Sequence, residues 1–97
     1  MAYDPGAIDA ALAAAVGDEP LLIAELRLAF AEGAVKALAS MEVAQDAEAW
    51  RIAAWRLKGL AASFGAVRLM ALAADAASGT PGDRALLAKL KRTIARL

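Results

Sequence analysis

Apolar residues return every three or four positions along almost the whole chain, and the rhythm breaks where proline, glycine and aspartate gather. "DPG" at 4–6 starts a short helix that turns Ile8, Leu12 and Val16 to one side. "GDEP" at 17–20 ends it and opens a second, with Asp18 as N-cap and Pro20 in the first turn, where a missing N–H costs nothing. This second helix is predicted to run to about Val43, facing Leu22, Leu26, Ala29, Phe30, Val35 and Leu38 inward, with Gly33 marking a close helix approach. "AQDAEAW" at 44–50 gives a turn and a new start, with Asp46 as cap and Glu48 in the favourable first turn. The third helix continues to about Phe64, where Gly65 breaks it, and a fourth covers roughly 66–77, burying Leu69, Leu72, Ala73 and Ala76. "SGTPGD" at 78–83 is the clearest loop. The last helix then turns Leu86, Leu87, Leu90, Ile94 and Leu97 inward and carries Lys89, Lys91, Arg92 and Arg96 toward its C-terminus, where the helix dipole favours cations. Four longer helices, short loops and one apolar stripe each predict an all-α single domain over residues 1–97: an antiparallel four-helix bundle with a short N-terminal helix laid against it.

Composition removes more functions than it suggests. The 61% hydrophobic content looks membrane-like until 29 of the 97 residues prove to be alanine. No apolar run reaches the roughly 18 uncharged residues that a membrane span requires. No basic segment followed by an apolar run stands at the N-terminus, so no signal peptide is expected and a cytoplasmic location is the default. Without cysteine there is no disulfide framework and no thiolate metal site. Without histidine the chain also lacks the commonest general base and metal ligand. No carboxylate or amide cluster suggests a metal site, and no cofactor is expected.

The net charge of zero hides a polarity. Residues 1–50 hold nine acids against Arg27 and Lys36, and residues 51–97 hold nine bases against Asp75 and Asp83. Either acidic and basic helices lie side by side and neutralise each other, or a basic face docks an acidic partner. The basic second half also raises nucleic acid as a partner, but a neutral chain with no reading motif argues against it. The paired acids Asp18 and Glu19, and Asp46 and Glu48, stand at helix starts, where capping explains them better than acid–base chemistry. Ser63 has no histidine to activate it, so no enzyme is expected.

The third helix holds the anomaly. Drawn at about 100° per residue, Trp50, Ala53, Ala54, Leu57, Leu60, Ala61 and Phe64 fall on one side as a core face. Trp55 points about 160° away from the centre of that face. Ile52, Gly59 and Ala62 share its side as a second, narrower apolar strip, flanked by Arg51, Arg56 and Lys58. Such a strip either packs under the N-terminal helix or against a neighbouring helix of the bundle, or stays exposed as an anchor for a partner, since tryptophan and arginine dominate interface energetics. Gly59 costs the helix about 1 kcal/mol relative to alanine. Its bare backbone would let a partner approach beside the indole.

The stretch "AAWRLKGLAASFGAVRL" at 53–69 resembles the signature of histidine-containing phosphotransfer domains, an "A-H-x-L-K-G-S/A-x-x-x-G-A" pattern. The match rests on Ala54, Leu57, Lys58, Gly59, Phe64, Gly65, Ala66 and Leu69. "IDAALAAAVGDEPLLIAELRLAF" is similar to the first two helices of such domains, so the likeness spans nearly the whole chain. It implies a four-helix bundle that works between receiver domains of a two-component phosphorelay. The position of the family's phosphoacceptor histidine is Trp55 here, and an indole N–H offers no lone pair to a phosphoryl group. Leu60 is a second departure, standing where a small polar residue is frequent in the family.

The resemblance therefore implies the docking apparatus without the chemistry. Lys58 and Gly59 match positions that offset phosphoryl charge and leave room for a receiver. The acidic pocket of a receiver domain, or a histidine kinase, is the expected partner of Arg51, Ile52, Trp55, Arg56, Lys58, Gly59 and Ala62. The alternative is a bundle that uses Ile52, Trp55 and Ala62 for a homodimer or for a partner outside signalling.

Overall fold

The computed structural model describes Ala10, Leu12, Ala14, Gly17 and residues 19–97. Among these the regular elements are all helical: α1 (Pro20–Glu42), α2 (Ala47–Ser63), α3 (Val67–Ser78) and α4 (Arg84–Ala95). Ahead of them Ala10, Leu12 and Ala14 are helical too, and Leu12 is buried. Ile8, Val16 and Asp18 lie outside the described residues. Consecutive helices pack on each other and α1 also packs on α4, so each of the four touches two others.

The chain ends of these helices follow from local chemistry. Pro20 is the first helical residue of α1, which makes Glu19 the N-cap, and no side chain caps it. This corrects the expected Asp18 cap: proline's fixed φ and missing N–H begin the helix one residue later without needing an acceptor. Asp46 caps α2 as expected, its Oδ1 accepting from Ala49 N–H at 2.7 Å. Asp83 does the same for α4, accepting from Ala85 and Leu86 N–H at 3.0 and 3.2 Å. At the far end of α2, Gly65 takes φ +71°, a left-handed conformation open to glycine. Ala66 N–H then reaches Ala61 O at 2.9 Å and Gly65 N–H reaches Ala62 O at 3.3 Å, the paired bonds of a Schellman stop.

Alanine fills much of the core. Ala34, Ala37, Ala53, Ala54, Ala61, Ala73 and Ala76 are buried, and among them sit Phe30, Met41, Trp50, Leu57, Leu69 and Leu90. Small side chains at the contacts let helix axes approach closely, and the few large ones fill what remains. A Cβ at Gly33 would lie 3.0 Å from Leu60 Cδ2, so Gly33 is the hollow in α1 that receives a leucine of α2. Phe30 and Phe64 stack with ring centroids 4.7 Å apart. Trp50 Nε1 donates to Ala76 O at 2.8 Å, tying the start of α2 to the last turns of α3. Arg27 donates to Leu97 O at 2.9 Å, tying α1 to the chain beyond α4. Thr93, buried in α4, satisfies its hydroxyl on Lys89 O at 2.8 Å.

The core faces expected for α2, α3 and α4 agree with burial. For α1 the expectation is half right: Phe30 and Leu38 are buried and Leu26 is partly buried, but Leu22, Ala29 and Val35 are exposed. Ala34, Ala37 and Met41 take their place. Apolar residues surround α1 on every side, so periodicity establishes a helix without choosing its inward face.

Candidate docking site around Trp55

The middle of α2 is held stiffly. Its N-terminus is capped by Asp46, its C-terminus is stopped at Gly65, and Trp50, Ala53, Ala54, Leu57 and Ala61 anchor its inner side. On the opposite side Trp55 and Ile52 each keep 52% of their surface exposed. Gly59 and Ala62 are exposed beside them, as are Arg51 and Arg56, while Lys58 is partly buried. The strip read from the sequence is therefore contiguous, and among the described residues Trp55 keeps about half of its surface open.

Lys58 Nζ sits 4.4 Å from the centre of the Trp55 ring. A cation over the ring face is attracted by its quadrupole, which gives the exposed indole a preferred orientation and puts positive charge beside it. A Cβ added at Gly59 would meet nothing within 4 Å. Internal packing thus gives no reason for glycine there. Ser63 Oγ donates to Gly59 O at 2.9 Å, so that hydroxyl is bound to its own helix rather than poised as a nucleophile.

Beside the indole, α1 and α2 leave a groove of about 460 Å³. Trp55, Arg56, Gly59, Leu60 and Ser63 line it from α2, and Gly33, Lys36 and Ala37 from α1. The floor is apolar and the rim carries Lys36 and Arg56. Lys36 was not among the expected site residues. Its contribution depends on which side of α1 meets α2, and the chain pattern of α1 leaves that open.

The remaining candidates fall into structural roles. Asp46 is a cap, Glu48 is an exposed first-turn acid and Glu19 an exposed N-cap residue. Among the described residues no group of three or more acidic side chains is placed to hold a metal ion, and no helix is long and apolar enough to cross a membrane. What the Trp55 surface offers is an apolar anchor, a shallow groove and positive charge on both sides. That combination can bind; with no lone pair on the indole and no histidine in the chain, it cannot relay a phosphoryl group by the histidine route. No protein-family model, curated protein or solved structure matches this chain.

Proposed function

We propose that this chain is a non-catalytic counterpart of a histidine phosphotransfer domain. It is an antiparallel four-helix bundle with a short N-terminal helix, and it binds a receiver domain or histidine kinase through the Trp55 strip. In doing so it modulates a two-component phosphorelay without carrying phosphate, and it is not an enzyme. The reading carries a cytoplasmic location with it, where receivers and kinase cores work.

One observation carries the proposal. Where the resembling signature has an exposed phosphoacceptor, α2 presents a half-exposed tryptophan next to a glycine whose added Cβ would meet nothing within 4 Å among the described residues. An acidic receiver pocket would meet Arg51, Arg56 and Lys58 while the indole covers its apolar rim. The same strip used in a two-fold homodimer would bring these cations against their own copies, which disfavours that alternative.

The test is a calorimetric titration of the purified chain with the receiver domains and kinases of its host. Binding to at least one, weakened tenfold or more by Trp55→Ala, is the expected result. Absence of binding to all of them overturns the reading, and a concentration-dependent dimer mass lost on Trp55→Ala replaces it with the homodimer.

A further inference from the structure

A second apolar surface lies on the outward side of α1, away from both the core and the Trp55 groove. Leu21, Leu28 and Val35 are 83%, 60% and 55% exposed. They stand seven residues apart, so they form one stripe about 21 Å long at 1.5 Å per residue. Ala24 is exposed and Ala31 partly buried between them, at the small positions of the same heptad. Gly33 and Ala37, which face α2, lie about 160° round the helix from Val35. The stripe is thus centred away from the groove, and Lys36 stands at the border between them, lining the groove on one side and a hollow with Ala31, Glu32 and Val35 on the other.

The geometry points to a docking surface for a basic amphipathic helix of a partner protein, bound independently of the Trp55 strip. A seven-residue repeat of large residues with alanine between them is the half-seam that another helix completes, with alanine permitting close approach. Charge selects the kind of helix. Glu25 and Glu32 are exposed along one flank, with Lys36 as the base beside them, while Glu42 at the next heptad position is paired with Lys91 of α4. Arg27 is partly buried and donates to Leu97 O at 2.9 Å.

The same charges argue against two other occupants. An antiparallel pairing of two copies about Leu28 sets Glu25 of one across from Glu32 of the other, twice over, so like charges meet at both ends. An anionic membrane surface would face the same acidic flank and be repelled by it. With a basic helix on α1 and an acidic partner on α2, the chain becomes an adaptor that holds two proteins of opposite charge on adjacent corners of one bundle.

Two synthetic helical peptides of about 18 residues test this, both with leucine and alanine at the heptad core positions. One carries lysine on the flanking positions and the other glutamate. Fluorescence anisotropy against the full chain should show the lysine peptide binding at least tenfold more tightly. Leu28→Asp should remove that preference while Trp55→Ala leaves it intact. The exposed double substitution Glu25→Lys with Glu32→Lys should reverse it, and helical circular dichroism should stay unchanged in every variant. Equal binding of the two peptides, no binding of the lysine peptide, or binding insensitive to Leu28→Asp overturns the proposal. So does a dimer in sedimentation, or adsorption to vesicles containing phosphatidylserine, that is lost with Leu28→Asp.

Discussion

Gly59 is the residue whose presence the fold explains least. In mid-helix it lowers stability by about 0.8–1 kcal/mol against alanine. The space above it is empty, so a methyl group there would disturb no neighbour. Gly59→Ala is therefore expected to stabilise the chain by about 0.5–1 kcal/mol, raising the thermal midpoint by a few degrees. If a partner backbone uses the bare surface, the same substitution weakens receiver binding several-fold. A variant that is more stable and binds equally well would leave Gly59 without a docking role. Gly33 differs in kind, since its missing side chain is filled by Leu60 from within the chain. The two tryptophans divide in the same way. Trp50 is fully buried with its N–H bonded to Ala76 O, while Trp55 is half exposed with Lys58 over its ring. Their positions on the wheel of α2 are enough to separate them, because its two apolar strips are kept apart by charged residues.

At the scale of the element, α2 is set by its two ends. Asp46→Ala removes the acceptor for Ala49 N–H and should cost about 1 kcal/mol. Gly65→Ala forces a Cβ into a left-handed conformation at φ +71° and should cost a comparable ~1 kcal/mol or more. The sites lie at opposite ends of the helix and share no partner, so the double variant should lose the sum of the two. Urea denaturation checks this through midpoint shifts at unchanged slope. A double variant no worse than either single one would mean that the ends are not independent. Both ends were legible in the sequence, since capping and left-handed stops depend on residue type within a turn. The inward side of α1 was not. Its leucines, alanines and valine surround the axis, and Leu22, Ala29 and Val35, expected inside, are outside.

At the scale of the whole molecule, the acidic α1 packs against both α2 and α4, which bring most of the bases. The halves of opposite charge are thus neighbours, yet Lys91 Nζ and Glu42 Oε2 meet only loosely, at 4.0 Å, with both side chains well exposed. Such a pair adds at most about 1 kcal/mol, so screening it with salt should take little from the fold. The proposed receiver docking through Arg51, Arg56 and Lys58 should respond to salt. Raising sodium chloride from about 50 to 300 mM is expected to weaken receiver docking about tenfold while the urea midpoint moves little. Affinity unchanged by salt would remove the cations from the interface. The sequence by itself determined the four described helices, the Asp46 cap and Gly65 stop of α2, the two-sided character of α2 and the lack of any histidine, because each depends on residue type and spacing within a few turns. Only the tertiary structure decided which side of α1 is buried, that Leu60 seats in Gly33, that Lys36 joins the rim beside Trp55, and that Leu21, Leu28 and Val35 stay in solvent. A helix apolar all round has no preferred inward face until its neighbours arrive, and only the packed helices choose one.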